Sequence, residues 1–342
     1  MKEKLNIGII GAGMITEKVH LPEYSQREDI VVAVICDTDS ERAKKLAEKY
    51  GIERVCENWE EAIEIEELDG VSICTPVNLH SNMVCKAAEK GKHVLCEKPM
   101  ASTLEEADLM ISTAKEHGVK LMIGLNQRFI PAHRAAKSII DSNILGQINS
   151  VRAAFGHPGP EFWTPSHQWF FDRKMSRGGV LMDLGTHKID LVKWLVGKDI
   201  VGVTALTRTR EKNISVEDNA TCLLEFADGA TAVIEVSWTT KPYVENSVLI
   251  YCQQGVLRIG MERDKERTLV AYINSPEKGE IIYDVPPFAM PGEFNSGVID
   301  NFVKSIRSDS EVPTTGKEGR EVLKIVLAAY ESAASGKRVA VK

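Results

Sequence analysis

The first 125 residues alternate short, largely apolar runs with amphipathic stretches, and that alternation leaves the chain very few architectures. The apolar runs fall at Leu5–Ile10, Ile30–Cys36, Val71–Cys74, His93–Cys96 and Lys120–Gly124. Helical patterns lie between them: from about Ile15, interrupted at Pro22, then Ser40–Tyr50, Ser81–Lys90 and Thr103–His117. Gly51, Gly91 and Gly118 stop the last three. Strands without a polar face are buried on both sides, and their alternation with helices requires a parallel sheet joined by right-handed crossovers. Residues 1–125 are therefore expected to form a doubly wound α/β domain.

The pattern changes after Asn126. Val151–Phe155, Ile200–Arg208, Ala220–Phe226, Ala230–Trp238, Ser247–Cys252 and Gly255–Ile259 read as strands, the last pairs separated by the hairpin signals Asp228-Gly229 and Gln254-Gly255. Helical patterns occur at about Leu181–Val196, Ser296–Arg307 and Lys317–Ser335. Consecutive strands with short turns imply that residues 126–342 form an α+β domain around a large, mostly antiparallel sheet.

The length of 342 residues suits two such domains. Hydrophobic residues make up 43% and charged residues 27%, a globular balance that excludes a disordered chain. The net charge of −7 offers no basic patch for nucleic acid or an anionic membrane. No apolar run approaches the roughly 18 residues of a membrane span. The N-terminus enters an apolar run within four residues and reads as a first strand, not a signal peptide. The seven cysteines sit mostly in apolar runs with no CxxC pair, which points to a reducing, cytoplasmic setting. No His/Cys/Asp/Glu cluster has the spacing of metal ligands, so no metal is expected.

The first turn carries a cofactor signal. Gly11-Ala12-Gly13-Met14-Ile15 follows the first strand and opens a helix. Gly11 permits a tight turn, and Gly13 lets the backbone approach a pyrophosphate at the positive helix end. Thr16 replaces the third glycine of the fingerprint, so looser helix–strand packing is expected there. Asp37, at the end of the second strand, is placed to accept hydrogen bonds from ribose hydroxyls. A carboxylate there repels a 2′-phosphate, which favours NAD over NADP; Arg42 nearby weighs the other way.

Two further signals concern catalysis. Glu97-Lys98-Pro99 closes a strand at its carboxyl end, the edge where open α/β sheets bind ligands, and Pro99 could hold a cis peptide bond. In Gly178-Gly179-Val180-Leu181-Met182-Asp183-Leu184-Gly185-Thr186-His187, Asp183 and His187 are four apart on a helix and share a face. Asp190 and Trp194 continue that stripe, with Leu184, Leu191, Val192 and Leu195 opposite, so the pair is expected to face a groove. A histidine there can take a proton from an alcohol as hydride leaves its carbon.

Taken in order, GIIGAGMI, Cys74-Thr75-Pro76 with Asn78 and His80, Glu97-Lys98-Pro99 and GGVLMDLGTH resemble the Gfo/Idh/MocA family of glucose–fructose oxidoreductase and inositol-dehydrogenase-like enzymes. The resemblance implies an N-terminal Rossmann domain for NAD and a second domain for substrate binding and oligomerisation. It implies that Lys98 contacts the substrate hydroxyl and nicotinamide ribose, that His187 transfers the proton, and that Asp183 binds substrate. Thr75, Pro76, Asn78 and His80 match the loop lining the cofactor, with Glu97 against it. Arg177 departs from the family's first glycine. A homodimer or homotetramer is implied by the resemblance alone.

The implied activity is hydride transfer between nicotinamide and a secondary alcohol of a sugar or cyclitol. A redox-neutral sugar enzyme with tightly held NAD, glycosidase or epimerase, and a non-catalytic NAD or sugar sensor are the alternatives. Arg128, opening the second domain, and His157 and Trp169 are the remaining candidates for substrate contact. Residues 157–173, with Phe162, Trp163, His167, Phe170 and Arg173, read equally as a platform for a polyhydroxylated ring and as a packed loop. His117 and His133 read as helix-surface residues, and Glu57–Glu67 as a solvated helix face.

Overall fold

A computed structural model of the chain describes residues 3–162, 168–242, 244–260, 268–274, 279–283 and 296–342. Trp163 and His167 lie outside the described residues. Two compact units emerge: residues 3–125 with 296–323, and the described residues of 126–289 with 324–342.

The first unit holds six parallel strands, β1 (Leu5–Ile10), β2 (Ile30–Cys36), β3 (Arg54–Cys56), β4 (Gly70–Ile73), β5 (His93–Cys96) and β6 (Leu121–Ile123), in the order β3-β2-β1-β4-β5-β6. The order reverses beside β1, so β1 and β4 diverge at a topological switch point, where doubly wound sheets bind ligands. Ile7, Ile9, Ile35, Ile73 and Leu95 are at most 1% exposed, as strands buried on both faces require. Strand β3 escapes the sequence pattern because it has three residues, none of them fully buried.

Pro22 does not interrupt the first helix, contrary to the sequence expectation. A wide π turn over Thr16–His20 runs directly into helix Leu21–Ser25. Proline lacks an N–H and crowds the preceding turn, and the wider turn just before it accommodates both. Residues 296–323 depart from the contiguous region 126–342 read from the sequence, clustering with the first unit. The Glu23 carboxylate accepts both the amide (2.7 Å) and the hydroxyl (2.9 Å) of Ser296. Thr314 exchanges two hydrogen bonds with the backbone of Ile123, at 2.8 and 2.6 Å.

The second unit is built on nine strands: β7 (Ile148–Gly156), β8 (Ile200–Arg208), β9 (Asn219–Phe226), β10 (Thr231–Ser237), β11 (Glu245–Cys252), β12 (Gly255–Ile259), β13 (Leu269–Ile273), β14 (Gly279–Tyr283) and β15 (Val339–Ala340). Their order is β14-β13-β12-β11-β7-β10-β9-β8-β15, and among the described residues only the β7–β10 pairing is parallel. Gly229 (φ +90°) turns the β9–β10 hairpin, and Gln253-Gln254 turns β11 into β12. Along β9 and β10 buried and outward residues alternate, so one face of this sheet packs on helices and the other is open. Helix Thr186–Val196 lies on the buried face, with Ile189, Leu191, Val192 and Leu195 fully enclosed. Among the described residues, no helix is long and apolar enough to cross a membrane.

Candidate active site

In the first unit the site grows from the turn after β1. Gly11 has φ +100°, and a Cβ there would come within 2.6 Å of the Cys74 carbonyl, so glycine is required on both counts. At Gly13 a Cβ would meet nothing within 4 Å, which leaves the backbone open to a ligand. Thr16 does not loosen the packing as expected: it is fully buried, and its hydroxyl donates to the Gly11 carbonyl at 2.6 Å, tying helix to turn. Met14 and Ile15 are half-buried at the start of the helix.

Asp37 accepts the Ala12 amide at 2.6 Å through Oδ2, while Oδ1 accepts the Asp39 amide and Arg42 Nη2. Thr75 and Pro76 follow β4 and are half-buried, and the Thr75 hydroxyl lies 3.4 Å from Met83 Sδ. Oδ1 of Asn78 is buried without a hydrogen-bond partner among the described residues. A glycine turn with open space beyond it, a carboxylate at the end of β2 and an orphaned amide oxygen after β4 together fit a dinucleotide.

His80 is buried between two backbone carbonyls, with Nε2 2.8 Å from that of Thr75 and Nδ1 2.9 Å from that of Pro99. It thus ties the loop after β4 to the one after β5, and burial lowers its pKa. The Lys98–Pro99 peptide is cis. Glu97 lies over Gly124, with one carboxylate oxygen 3.0 Å from His20 Nε2 and the other accepting the Lys98 amide at 3.2 Å. His20 has no role in the sequence reading. Burial alone would lower its pKa, but Cys74 and Glu97 hold it well above 6.5. Burial likewise acts to raise the Glu97 pKa and is outweighed by His20, which holds it below the usual range. The two form a largely buried ion pair; Lys98, next to Glu97 in the chain, has a half-buried side chain.

In the second unit, a π turn over Leu181–Gly185 precedes helix Thr186–Val196, where the sequence suggested one continuous helix. The irregularity separates the expected stripe. Asp183 is half-buried and accepts the indole N–H of Trp238 at 3.3 Å. His187 is 8% exposed, its ring 5.9 Å from that of Phe155. Asp190 does not face a groove but is 1% exposed, taking Arg128 Nη2 at 2.5 Å and Nε at 3.0 and 3.1 Å. Arg128 is accordingly engaged in a buried ion pair.

His157 is buried, and its Nδ1 accepts the Gly159 amide at 3.0 Å. Trp169 stacks on Phe170 (centroids 3.8 Å), and Phe170 and Phe171 meet the fully buried Trp238 edge-on. Trp238 therefore links this aromatic cluster to Asp183. Its sequence position, ending an apolar strand, gives no hint of that contact. His133 is not a surface residue: it is 2% exposed on helix Pro131–Asp141 and donates from Nδ1 to the Gln127 carbonyl at 2.7 Å. Burial, aided by the Lys188 charge, pushes its pKa down to about 3.

The profile of the oxidoreductase family, NAD-binding Rossmann fold, matches residues 5–125, and the GFO/IDH/MocA C-terminal domain matches residues 133–258. The chain is 26% identical to myo-inositol 2-dehydrogenase of Thermotoga maritima, over 96% of each sequence. It is 27% identical to D-glucoside 3-dehydrogenase of Escherichia coli, over 98% of this chain and 97% of that one. Among solved structures, a levoglucosan dehydrogenase in complex with NADH superposes with a TM-score of 0.89 at 27% identity, covering 99% of both chains.

Proposed function

Because the chain belongs to the Gfo/Idh/MocA family and binds NAD through its Rossmann unit, we propose that it oxidises a secondary alcohol of a sugar or cyclitol. The observation that carries this reading is the lysine-bearing cis turn after β5 in a chain that also carries Asp183 just before, and His187 in the first turn of, a buried helix. Lys98 donates a hydrogen bond to the reacting hydroxyl oxygen and favours its alkoxide character. His187 accepts the hydroxyl proton as general base. Asp183, oriented by Trp238, binds a neighbouring hydroxyl. NAD, when bound, supplies the hydride acceptor.

Gly11, Gly13, Met14 and Ile15 face the pyrophosphate, Asp37 the adenosine ribose, and Thr75, Pro76 and Asn78 the remainder of the cofactor. His80 and Glu97 set the loops that carry them. Arg128 supports the helix of His187, while His157 and Trp169 border the substrate. Relatives named for myo-inositol and D-glucoside support a cyclic polyol substrate.

The second unit's open sheet face carries Leu206, Leu223 and Val233, 57%, 41% and 37% exposed. This apolar row supports a homodimer or homotetramer. Seven free cysteines support a cytoplasmic setting.

The test is NADH formation from NAD with a panel of inositols, aldoses and alkyl glucosides, with Lys98→Ala and His187→Ala beside the wild type. Turnover that falls ~10²–10⁴-fold in His187→Ala supports the assignment. An unchanged kcat in that variant refutes the role of His187, and NADH that stays bound without net formation on any substrate refutes net dehydrogenation.

A further inference from the structure

The four backbone amides that open the segment carrying Asp183 and His187 all end on two residues far away in sequence. The first N–H groups of a helical segment have no partner within it. Here Gly179 N donates to Glu217 Oε1 at 2.9 Å and Leu181 N to the same oxygen at 3.1 Å. Val180 N donates to the Glu217 carbonyl at 3.0 Å, and Met182 N to the Tyr330 hydroxyl at 3.1 Å. That hydroxyl donates in turn to Glu217 Oε1 at 2.6 Å, so the two partners are locked to each other.

The glycines preceding the segment are explained by the same contacts. A Cβ at Gly179 would lie 2.0 Å from the Glu217 carbonyl, and one at Gly178 would lie 2.1 Å from the Tyr330 hydroxyl. Glu217 is 5% exposed, and its carboxylate sits at the positive end of the segment, where an anion is stabilised. The next residue, Asp218, accepts the amides of Arg210, Glu211 and Lys212, and its carbonyl accepts the amide of Trp238, whose indole holds Asp183. Residues 217 and 218 thus fix both the start of the segment and the residue that orients its acid.

We propose that Glu217 and Tyr330 are positioning residues that set where Asp183 and His187 stand, acting through the backbone of residues 179–182. The inference rests on the reading of His187 as the proton acceptor. The side-chain oxygens of both residues engage backbone amides and each other, so their loss is expected to change the rate of proton transfer and to leave NAD binding alone.

The experiment uses the full-length protein as Tyr330→Phe, Glu217→Gln, Glu217→Ala and His187→Ala. It measures bound-NADH fluorescence, kcat with the panel sugar that turns over fastest, and the imidazole signals of His187 by NMR with labelled histidine. Tyr330→Phe is expected to lower kcat about tenfold, to move the His187 signals and their titration midpoint, and to leave NADH affinity within twofold of wild type. Glu217→Gln, which keeps the accepting oxygen, is expected to recover most of what Glu217→Ala loses. If Glu217→Ala does not fold, Tyr330→Phe decides. His187 signals and titration unchanged in Tyr330→Phe would overturn the inference, whether or not any panel sugar reacts. Unchanged kcat in His187→Ala would instead overturn the reading beneath it.

Discussion

Arg42 donates from Nη2 to Oδ1 of Asp37 at 2.7 Å, so the guanidinium beside the carboxylate that follows β2 is neutralised by it. A 2′-phosphate would meet the carboxylate first and the guanidinium only after that pair separates. A preference for NAD over NADP is the expected consequence of this arrangement. Replacing Asp37 with alanine removes a charge-assisted hydrogen bond to the ribose, contributing ~1.5–3 kcal/mol. The expected outcome is a fall of about 10- to 150-fold in kcat/KM for NAD and a rise in the NADP/NAD ratio. An unchanged ratio in steady-state kinetics would contradict this account of selectivity.

The Arg128–Asp190 pair is enclosed, at 7% and 1% exposure, so breaking it strands a charge in the interior. Arg128→Leu is expected to cost ~3–5 kcal/mol in urea unfolding, because Asp190 is left uncompensated. The double variant Arg128→Leu/Asp190→Leu is expected to regain most of that loss. A double variant as unstable as the single one would show that the pair does more than neutralise itself.

Lys188 follows the candidate base but points into the core. It is fully buried, with Nζ 3.3 Å from the Ser247 carbonyl and 5.8 Å from the centre of the Phe155 ring. Burial pushes its pKa down from 10.5 to about 7, against the opposing pull of Glu245. Between these values the unfolded chain binds more protons than the folded one, so this residue's contribution to stability rises with pH. Lys188→Met is therefore expected to raise Tm most at pH 7 and below, with the gain shrinking toward pH 10. A gain independent of pH would contradict a charged lysine in the core.

The His20–Glu97 pair has its own pH window. The folded pKa of His20 lies above its unfolded value, so its contribution is complete below about 6.5 and is lost as pH rises through the folded pKa. Glu97 shifts downward, so its contribution is present above its unfolded value and is lost as pH falls through the folded one. His20→Phe leaves Glu97 without its buried cationic partner and is expected to cost ~3–5 kcal/mol near pH 6. The gap in Tm between variant and wild type should narrow in alkaline solution; a gap that widens there would show that His20 is neutral in the folded protein.

The architecture was legible in the sequence wherever burial acts on a whole element. Strands such as Val71–Cys74 and His93–Cys96 must be predominantly apolar to lie inside a parallel sheet, and that leaves an unmistakable trace. Gly11 and the cis turn at Lys98–Pro99 were legible too, since a positive φ and a proline are written in residue type. The short strands β3 and β15 were not, because three residues and two residues carry no periodicity.

The sequence by itself therefore determined the order of layers, the glycine turn after β1 and the residue types of the candidate site. Only the tertiary structure decided their surroundings. Whether Asp190 faces a groove or Arg128, whether His133 is wet or buried, and that Glu217, Trp238 and Tyr330 converge on one segment all depend on contacts between distant residues. Such contacts have no period and no fixed spacing along the chain; they exist only once packing has brought the elements together.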